Sequence, residues 1–163
     1  MKFKSLKDLM VDKLYDIYSA EQSALDFFPK LTESCNNEEL KKALLLHADQ
    51  SRTQVKRLEQ VFSKLDIKPE MKSNPVIDSL ISNATDYIQA DADPDVKDAA
   101  LIAVEQQIEH YEIAAYGTAR AWARMLNMSE AEKLFEDTLI EESYTDEKLT
   151  KLAEKGYGGG GCQ

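Results

Sequence analysis

Apolar residues recur at helical spacing over long stretches of this sequence, and almost no glycine or proline interrupts them. Five of the six glycines lie after residue 155, and the four prolines fall mostly where helices are expected to begin or end. Glycine and proline are the residues that a helix interior tolerates least. The sequence shows no signal typical of β-strands. It therefore predicts an all-α fold.

Start signals divide the chain into five helices. Ser5 followed by Asp8 can cap the first helix, and Asn36-Asn37 can cap the second. Pro75 and Pro94 suit the first position of a short third helix and a long fourth one. The segment Ser129–Glu132 has the pattern of a capping box that opens the fifth helix. The predicted helices end near residues 34, 65, 90, 126 and 155.

The lengths of the connections predict how the helices are arranged. Four long helices joined by a short, a long and a short connection form a four-helix bundle with a crossover, and the short helix at 75–90 lies within that crossover. Pro29 is expected to kink the first helix one turn before its end. Residues 1–155 form one domain, and the glycine-rich tail 156–163 is expected to be disordered.

Charge and cysteine content exclude several classes of function. The net charge is -10, with 30 acidic and 20 basic side chains, which argues against binding to nucleic acid or to an anionic membrane surface. Two cysteines, Cys35 and Cys162, are too few for a disulfide framework or a zinc cage. The N-terminus lacks the apolar segment of a secretion signal, and no apolar run reaches membrane-spanning length. We expect a cytoplasmic protein.

The inward faces of the four long helices are apolar toward their ends and polar in the middle. The interruptions lie at 21, 47–54, 109–112 and 142–146, and the midpoints of antiparallel helices of equal length share one level. Several carboxylates therefore meet in one internal layer, which is costly because buried carboxylates lose solvation and repel each other. A pair of divalent cations removes that cost, as in other carboxylate-rich bundles.

Spacing identifies candidate ligands within the layer. Glu109 and Glu112 are separated by three residues and Glu142 and Asp146 by four, so each pair can face one side of its helix. Glu21 and Glu112 could bridge two ions. Asp146 could equally pair with a lysine outside the layer, whereas His47 is either a nitrogen ligand or a core histidine bonded to a carboxylate. Glu105 is interpreted as an interhelix partner and His110 as a surface residue.

An internal repeat supports the layer. Glu21 and Glu112 are 91 residues apart, and the pairs Gln50–Glu142 and Gln54–Asp146 are each 92 apart. The two helical hairpins therefore look like copies related by a pseudo-twofold axis. In this alignment Gln50 and Gln54 are the counterparts of acidic residues in the layer.

Four segments together resemble the YciF/YciE-like branch of the ferritin-like superfamily. They are Leu14–Glu21, Asp98–Ala103, Ile108–Thr118 and Leu139–Glu142, and the resemblance extends over residues 3–155. It implies a ferritin-like bundle, a homodimer, a dinuclear iron or manganese centre and a link to bacterial stress responses. The family's carboxylates match Glu21, Glu109, Glu112 and Glu142. Relatives tend to have glutamate at position 50, where this chain has Gln50, and they share Gln54.

Two functional hypotheses follow. The first is a metalloprotein that binds two iron or manganese ions through the matched glutamates and through Gln50, Gln54 or Asp146, and that reacts with dioxygen or peroxide. The second is a non-enzymatic, stress-associated structural or interaction bundle that has lost its metal through Gln50. Ferritin-type iron storage is a weaker third hypothesis. A hemerythrin-like oxygen carrier is excluded because the chain has 2 histidines. Whether the protein is an enzyme stays open.

Overall fold

The computed structural model describes residues 2–155, and all the regular structure in that range is α-helical, as predicted. The helices are α1 (Leu6–Ser34), α2 (Glu38–Lys64), α3 (Pro75–Gln89), α4 (Pro94–Met125) and α5 (Ser129–Glu154). Helix α1 contains Pro29 and continues beyond it to Ser34. None of these helices has a stretch that is long and apolar enough to cross a bilayer. The tail 156–163, predicted to be disordered, lies outside the described residues.

Polar caps begin four of the five helices, as the sequence predicts. At the start of α1, the backbone N–H of Asp8 donates to Ser5 Oγ and the N–H of Ser5 donates to the Asp8 carboxylate, which completes a capping box. The side chains of Asn37, Asn74 and Asp93 cap α2, α3 and α4 in the same general way.

The predicted capping box at Ser129 is wrong. Ser129 is already the first residue of α5, and the N-cap position belongs to Met128, which makes no side-chain cap hydrogen bond. The reason is the turn that ends α4. Asn127 adopts the left-handed conformation (φ 57°), and the N–H of Met128 donates to the carbonyl of Ala123 over 2.9 Å. This Schellman turn uses the residues that would otherwise precede a cap.

The helices pack as two antiparallel hairpins. Helix α1 packs on α2 and α4 on α5, while α1 also contacts α4, and α2 contacts α5. Helix α3 lies in the long crossover and covers α1 and α4. Asn74 fixes the crossover, because its side-chain amide donates to the Asp16 carbonyl over 3.0 Å and to the Tyr111 hydroxyl over 2.7 Å.

Two separate apolar clusters fill the bundle. One surrounds the C-terminal half of α1, including Phe28 and Leu31, and draws on the start of α2 and α4 and the end of α5. The other surrounds the N-terminal half of α1, including Met10 and Leu14, and draws on the opposite ends of those helices. Between the two clusters lies a layer of buried polar side chains, as the stripe pattern predicts.

Candidate metal centre

Five glutamates are buried in the layer between the apolar clusters. Each is at most 3% exposed, and they are Glu21 on α1, Glu105, Glu109 and Glu112 on α4, and Glu142 on α5. Helix α2 adds three buried polar side chains, His47, Ser51 and Gln54. Carboxylates are almost never fully buried unless a counter-charge or a proton compensates them. The layer therefore needs cations, protons or both.

Four of these side chains form a compact group. His47, Glu109, Glu112 and Glu142 each offer one ligand atom, and these four atoms all lie within 4.8 Å of one another. The group combines one imidazole nitrogen from α2 with two carboxylates from α4 and one from α5. Because the side chains come from α2, α4 and α5, the group exists only when the two hairpins are packed together.

The imidazole of His47 is oriented for ligation. Its Nδ1 lies 3.4 Å from the hydroxyl of Thr145, which itself donates to the Glu141 carbonyl over 3.2 Å. The hydroxyl is then an acceptor for Nδ1–H, so the other nitrogen, Nε2, carries a lone pair. This Nε2 lies 3.1 Å from Glu109 Oε1 and 4.0 Å from Glu105 Oε1. A lone pair facing carboxylate oxygens requires a cation or a proton between them.

Glu21 approaches the layer from α1 with one oxygen already engaged. The buried phenol of Tyr116 donates to Glu21 Oε1 over 2.6 Å. The second oxygen, Oε2, is buried without a partner. Tyr116 lies one helical turn after Glu112 on α4, so it links the position of the α1 carboxylate to the helix that carries three of the others.

A chain of hydrogen bonds connects Glu142 to the protein surface. The amide of Gln54 donates both to Glu142 and, over 3.1 Å, to Glu141. Glu141 is in turn held by both terminal nitrogens of Arg57, at 2.6 and 2.7 Å. In this arrangement Gln54 fixes the orientation of Glu142, and only its carbonyl oxygen Oε1 lacks a partner.

Burial shifts the pKa of every acidic group in the layer upward. It raises the pKa of Glu105 to about 8 and that of Glu142 to about 7. Burial and the neighbouring carboxylates raise the pKa of Glu21, Glu109 and Glu112 well above the ordinary range. Burial lowers the pKa of His47 to about 4. Without cations, the layer near neutral pH therefore holds a neutral imidazole and several protonated carboxyls.

Unpartnered polar atoms are concentrated in this layer. Within residues 2–155, eleven buried side-chain nitrogen or oxygen atoms lack a hydrogen-bond partner, and all except Arg120 Nε belong to the layer. Glu109 and Glu112 have no partner for either oxygen. Native proteins leave few buried polar groups unpaired, so such a concentration indicates a place where an ion or water binds. One imidazole nitrogen and several hard carboxylate oxygens fit iron or manganese.

Two of the predicted ligands lie elsewhere. Asp146 is 22% exposed in its side chain, accepts from the amide of Gln106 over 3.1 Å and lies 3.3 Å from Nε2 of the exposed His110. Gln50 is half-buried and precedes Ser51, which is the inward residue at that level of α2. Each of these two residues is next in sequence to a buried residue of its helix. A shift of one residue turns a side chain by about 100° around the helix, which takes it off the buried face.

The register chosen for the repeat supported both of these predictions wrongly. Buried positions in both hairpins repeat with a single offset of 91 residues, which pairs Ser51 with Glu142 and Gln54 with Thr145. The offset of 92 used for the second and fifth helices shifted both of these pairs by one residue. Applied to all four helices, the 91-residue distance between Glu21 and Glu112 gives the correct register from the sequence alone.

Sequence reasoning also missed residues of the site. Glu105 was interpreted as an interhelix partner, yet it is buried beside His47. It belongs to the inward stripe of α4, and that signal was sufficient to include it. Tyr116 and Glu141 were not singled out, because a tyrosine and a half-buried glutamate have no spacing that marks them as supports for other side chains.

Sequence comparison places the chain among known proteins. The family described as Domain of unknown function (DUF892) matches residues 5–158. The chain belongs to this family. The protein YciF of Escherichia coli strain K12 is 38% identical over 154 residues, which cover 94% of this chain and 93% of YciF. The resemblance predicted from four sequence segments is confirmed.

Solved structures show the same architecture. The E. coli stress protein YciF has a TM-score of 0.90 and 37% identity, covering 94% of this chain and 97% of YciF. The protein YcfI of Rhodopseudomonas palustris has a TM-score of 0.87 and 39% identity, with coverages of 90% and 94%. Ferritin-like, diiron-carboxylate proteins of Bacillus anthracis have a TM-score of 0.71 at 19% identity, with coverages of 93% and 99%. This last similarity shows the fold alone, and the predicted ferritin-like bundle is confirmed.

Proposed function

We propose that this chain is a ferritin-like metalloprotein that binds up to two iron or manganese ions in its polar layer. The observation that carries the proposal is the set of unpartnered buried ligand atoms on His47 and the layer glutamates. Five ionised carboxylates in one interior layer cannot coexist without compensation, and two divalent cations offset four of the five charges. The diiron-carboxylate description of one structural relative agrees with this choice.

The roles of the side chains follow from their contacts. His47, Glu109, Glu112 and Glu142 supply the ligand atoms that already lie together. Tyr116 holds one oxygen of Glu21 and leaves the other free to bind a cation. Thr145 fixes the imidazole in the tautomer that exposes the Nε2 lone pair. These supports keep the ligands oriented before a cation arrives.

Bound iron or manganese would supply one-electron chemistry toward a small oxidant such as dioxygen or peroxide. The residues of this chain would keep water out, since the layer is closed at both ends by the apolar clusters. They would also accept and release protons, because binding a cation displaces protons from carboxyl groups with a raised pKa. A stress-associated role is proposed from the similarity to the stress protein YciF.

Metal analysis tests the proposal directly. We expect protein produced in iron- or manganese-rich medium to retain at least one ion per chain after desalting. Glu112→Gln, which neutralises a central ligand, should lower that content several-fold, because cation affinity depends on the number of ligand charges. Glu147→Gln is the matched control, since Glu147 is exposed on α5 and pairs with Lys151. A metal content well below one ion per chain in every medium would contradict the proposal.

A second candidate function is a stress-associated structural bundle without metal. It is favoured by the raised pKa of Glu105 and Glu142, because protonated carboxyls can occupy the layer without cations. The two candidates differ in their response to a chelator, which removes stability only from a protein that holds a metal.

A further inference from the structure

The pseudo-twofold axis relates two halves of the layer that are chemically unequal. The offset of 91 residues maps Glu112 onto Glu21, so each half supplies one central carboxylate. It maps Glu142, however, onto Ser51, a buried hydroxyl 1% exposed. It also maps Glu105 onto Leu14 and Glu109 onto Tyr18. The half formed by α4 and α5 therefore brings four carboxylates, and the half formed by α1 and α2 brings one.

The richer half contains the compact group. Glu109, Glu112 and Glu142 supply three carboxylates, and His47 from α2 adds an uncharged nitrogen within the same 4.8 Å. Three carboxylates and an imidazole can hold one Mn²⁺ or Fe²⁺ ion, with water in any remaining coordination position. Glu21 and Glu105 are outside this set.

The side of the layer near Glu21 offers much less. Glu21 has a single free oxygen, because Tyr116 occupies the other. The twofold counterpart of Glu142 on this side is Ser51, whose hydroxyl is neutral and has no hydrogen-bond partner. A second cation here would depend on Glu21, on an oxygen shared with Glu112 and on neutral donors such as Ser51 and Gln54.

We propose that the layer binds two divalent cations with unequal affinities. This inference rests on the proposed metal-binding function. The first cation is held tightly by His47, Glu109, Glu112 and Glu142. The second lies on the side of Glu21 and Ser51, where one carboxylate is missing, and is held weakly. The place of the missing carboxylate is left to water or a small anion. Because affinity for hard cations depends on ligand charge, Ser51 determines the difference between the two positions.

A calorimetric titration of the full-length, metal-stripped protein with Mn²⁺ tests this inference. We expect one ion to bind tightly and a second to bind at least about tenfold more weakly. Ser51→Asp should strengthen the second binding event about tenfold or more and leave the first unchanged. Ser51→Ala should not strengthen it. Ser82→Asp, which adds the same charge at an exposed position of α3, controls for net charge.

Two further variants separate the positions without adding a group to the core. Glu21→Gln should weaken only the second event, and Glu109→Gln should weaken the first.

Ser51→Glu, whose longer side chain matches Glu142, repeats the test if the aspartate variant does not fold. Two equal events in the unaltered protein, or an unchanged second event in both folded Ser51 variants, would overturn the inference and leave the proposed function standing. Absence of any Mn²⁺ or iron binding would instead refute the proposed function itself.

Discussion

Glu105 shows the cost of burying a carboxylate beside other carboxylates. It is 3% exposed, lies 4.0 Å from His47 Nε2, and burial raises its pKa to about 8. No lysine or arginine side chain pairs with the five layer glutamates among the ion pairs of residues 2–155. A proton or a metal ion must therefore provide the compensation, and the two compete for the same oxygens.

When no metal is bound, protons alone compensate the carboxylates, so the stability of the metal-free protein should depend on pH. A carboxyl whose pKa is raised by folding stays protonated in the folded state at pH values where the unfolded chain has lost that proton. Its contribution to stability is complete below the pKa of the unfolded chain and is lost as the pH rises through the pKa of the folded state. The pKa of His47, lowered to about 4, acts in the opposite direction but only up to its unfolded value near 6.5.

We therefore expect the free energy of unfolding of the metal-free protein to fall between about pH 6.5 and 8, where Glu142 and Glu105 titrate. Urea unfolding in the presence of a chelator measures it. The Glu105→Gln variant should show a shallower slope over the same range. A free energy that rises over this range would contradict the assignment of raised pKa values.

At the scale of the helix, the start of α2, which has a polar cap, and the start of α5, which has none, should respond differently to mutation. Asn37 accepts hydrogen bonds from the N–H groups of Glu39 and Leu40, at 2.8 and 3.1 Å. Ser129 makes no cap hydrogen bond, because the Schellman turn at Asn127 places Met128 at the N-cap.

We expect Asn37→Ala to lower the free energy of unfolding by about 1 kcal/mol, which is typical for a lost cap. Ser129→Ala should change it by less than about 0.5 kcal/mol, as is usual at exposed positions. Thermal or urea denaturation of the two variants side by side measures the difference. Equal losses would mean that Ser129 caps α5 in solution, as its sequence pattern suggests.

How far the sequence predicts each helix depends on how its buried polar residues are satisfied. On α2, the inward positions of His47 and Gln54 are predicted correctly, because Leu44 and Leu58 on either side mark the inward face, whereas Gln50 is not on that face. The stripe of α5 was predicted one residue off in part. Thr138 and Thr145 face inward. Each hydroxyl donates to a carbonyl of its own helix over 3.2 Å, so the cost of burying it is small. The polarity of Thr145 made Asp146 look like the inward residue at that level.

At the scale of the whole molecule, the bundle, its polar layer and the four members of the compact group could be predicted from periodicity and spacing. The 92-residue offset, however, did not separate these four residues from Gln50 and Asp146. Four helices of similar length with polar midpoints leave few other arrangements. The selection of Glu109 and His47, and the exclusion of Gln50 and Asp146, depends on rotations of about 100° that a one-residue error in register produces.

Metal removal should destabilise the whole bundle, because the compact group joins three helices from both hairpins. At a free metal concentration 100 times Kd, the bound ion contributes about 2.7 kcal/mol. Chelation should then lower Tm by roughly 5–10 °C for a chain of this size, and added Mn²⁺ should restore it. Calorimetry measures the shift, and Glu109→Gln should show little response to the chelator. An unchanged Tm after chelation would favour the structural bundle.

The shared offset of 91 residues has a consequence for the ancestry of this chain. When two copies of one hairpin chain associate, both halves of the bundle carry the same side chains. Any substitution in that chain therefore appears in both halves. Once both hairpins are encoded in tandem, each copy can diverge alone. Ser51, the counterpart of Glu142, is a difference of this kind, which two identical copies of one hairpin could not acquire.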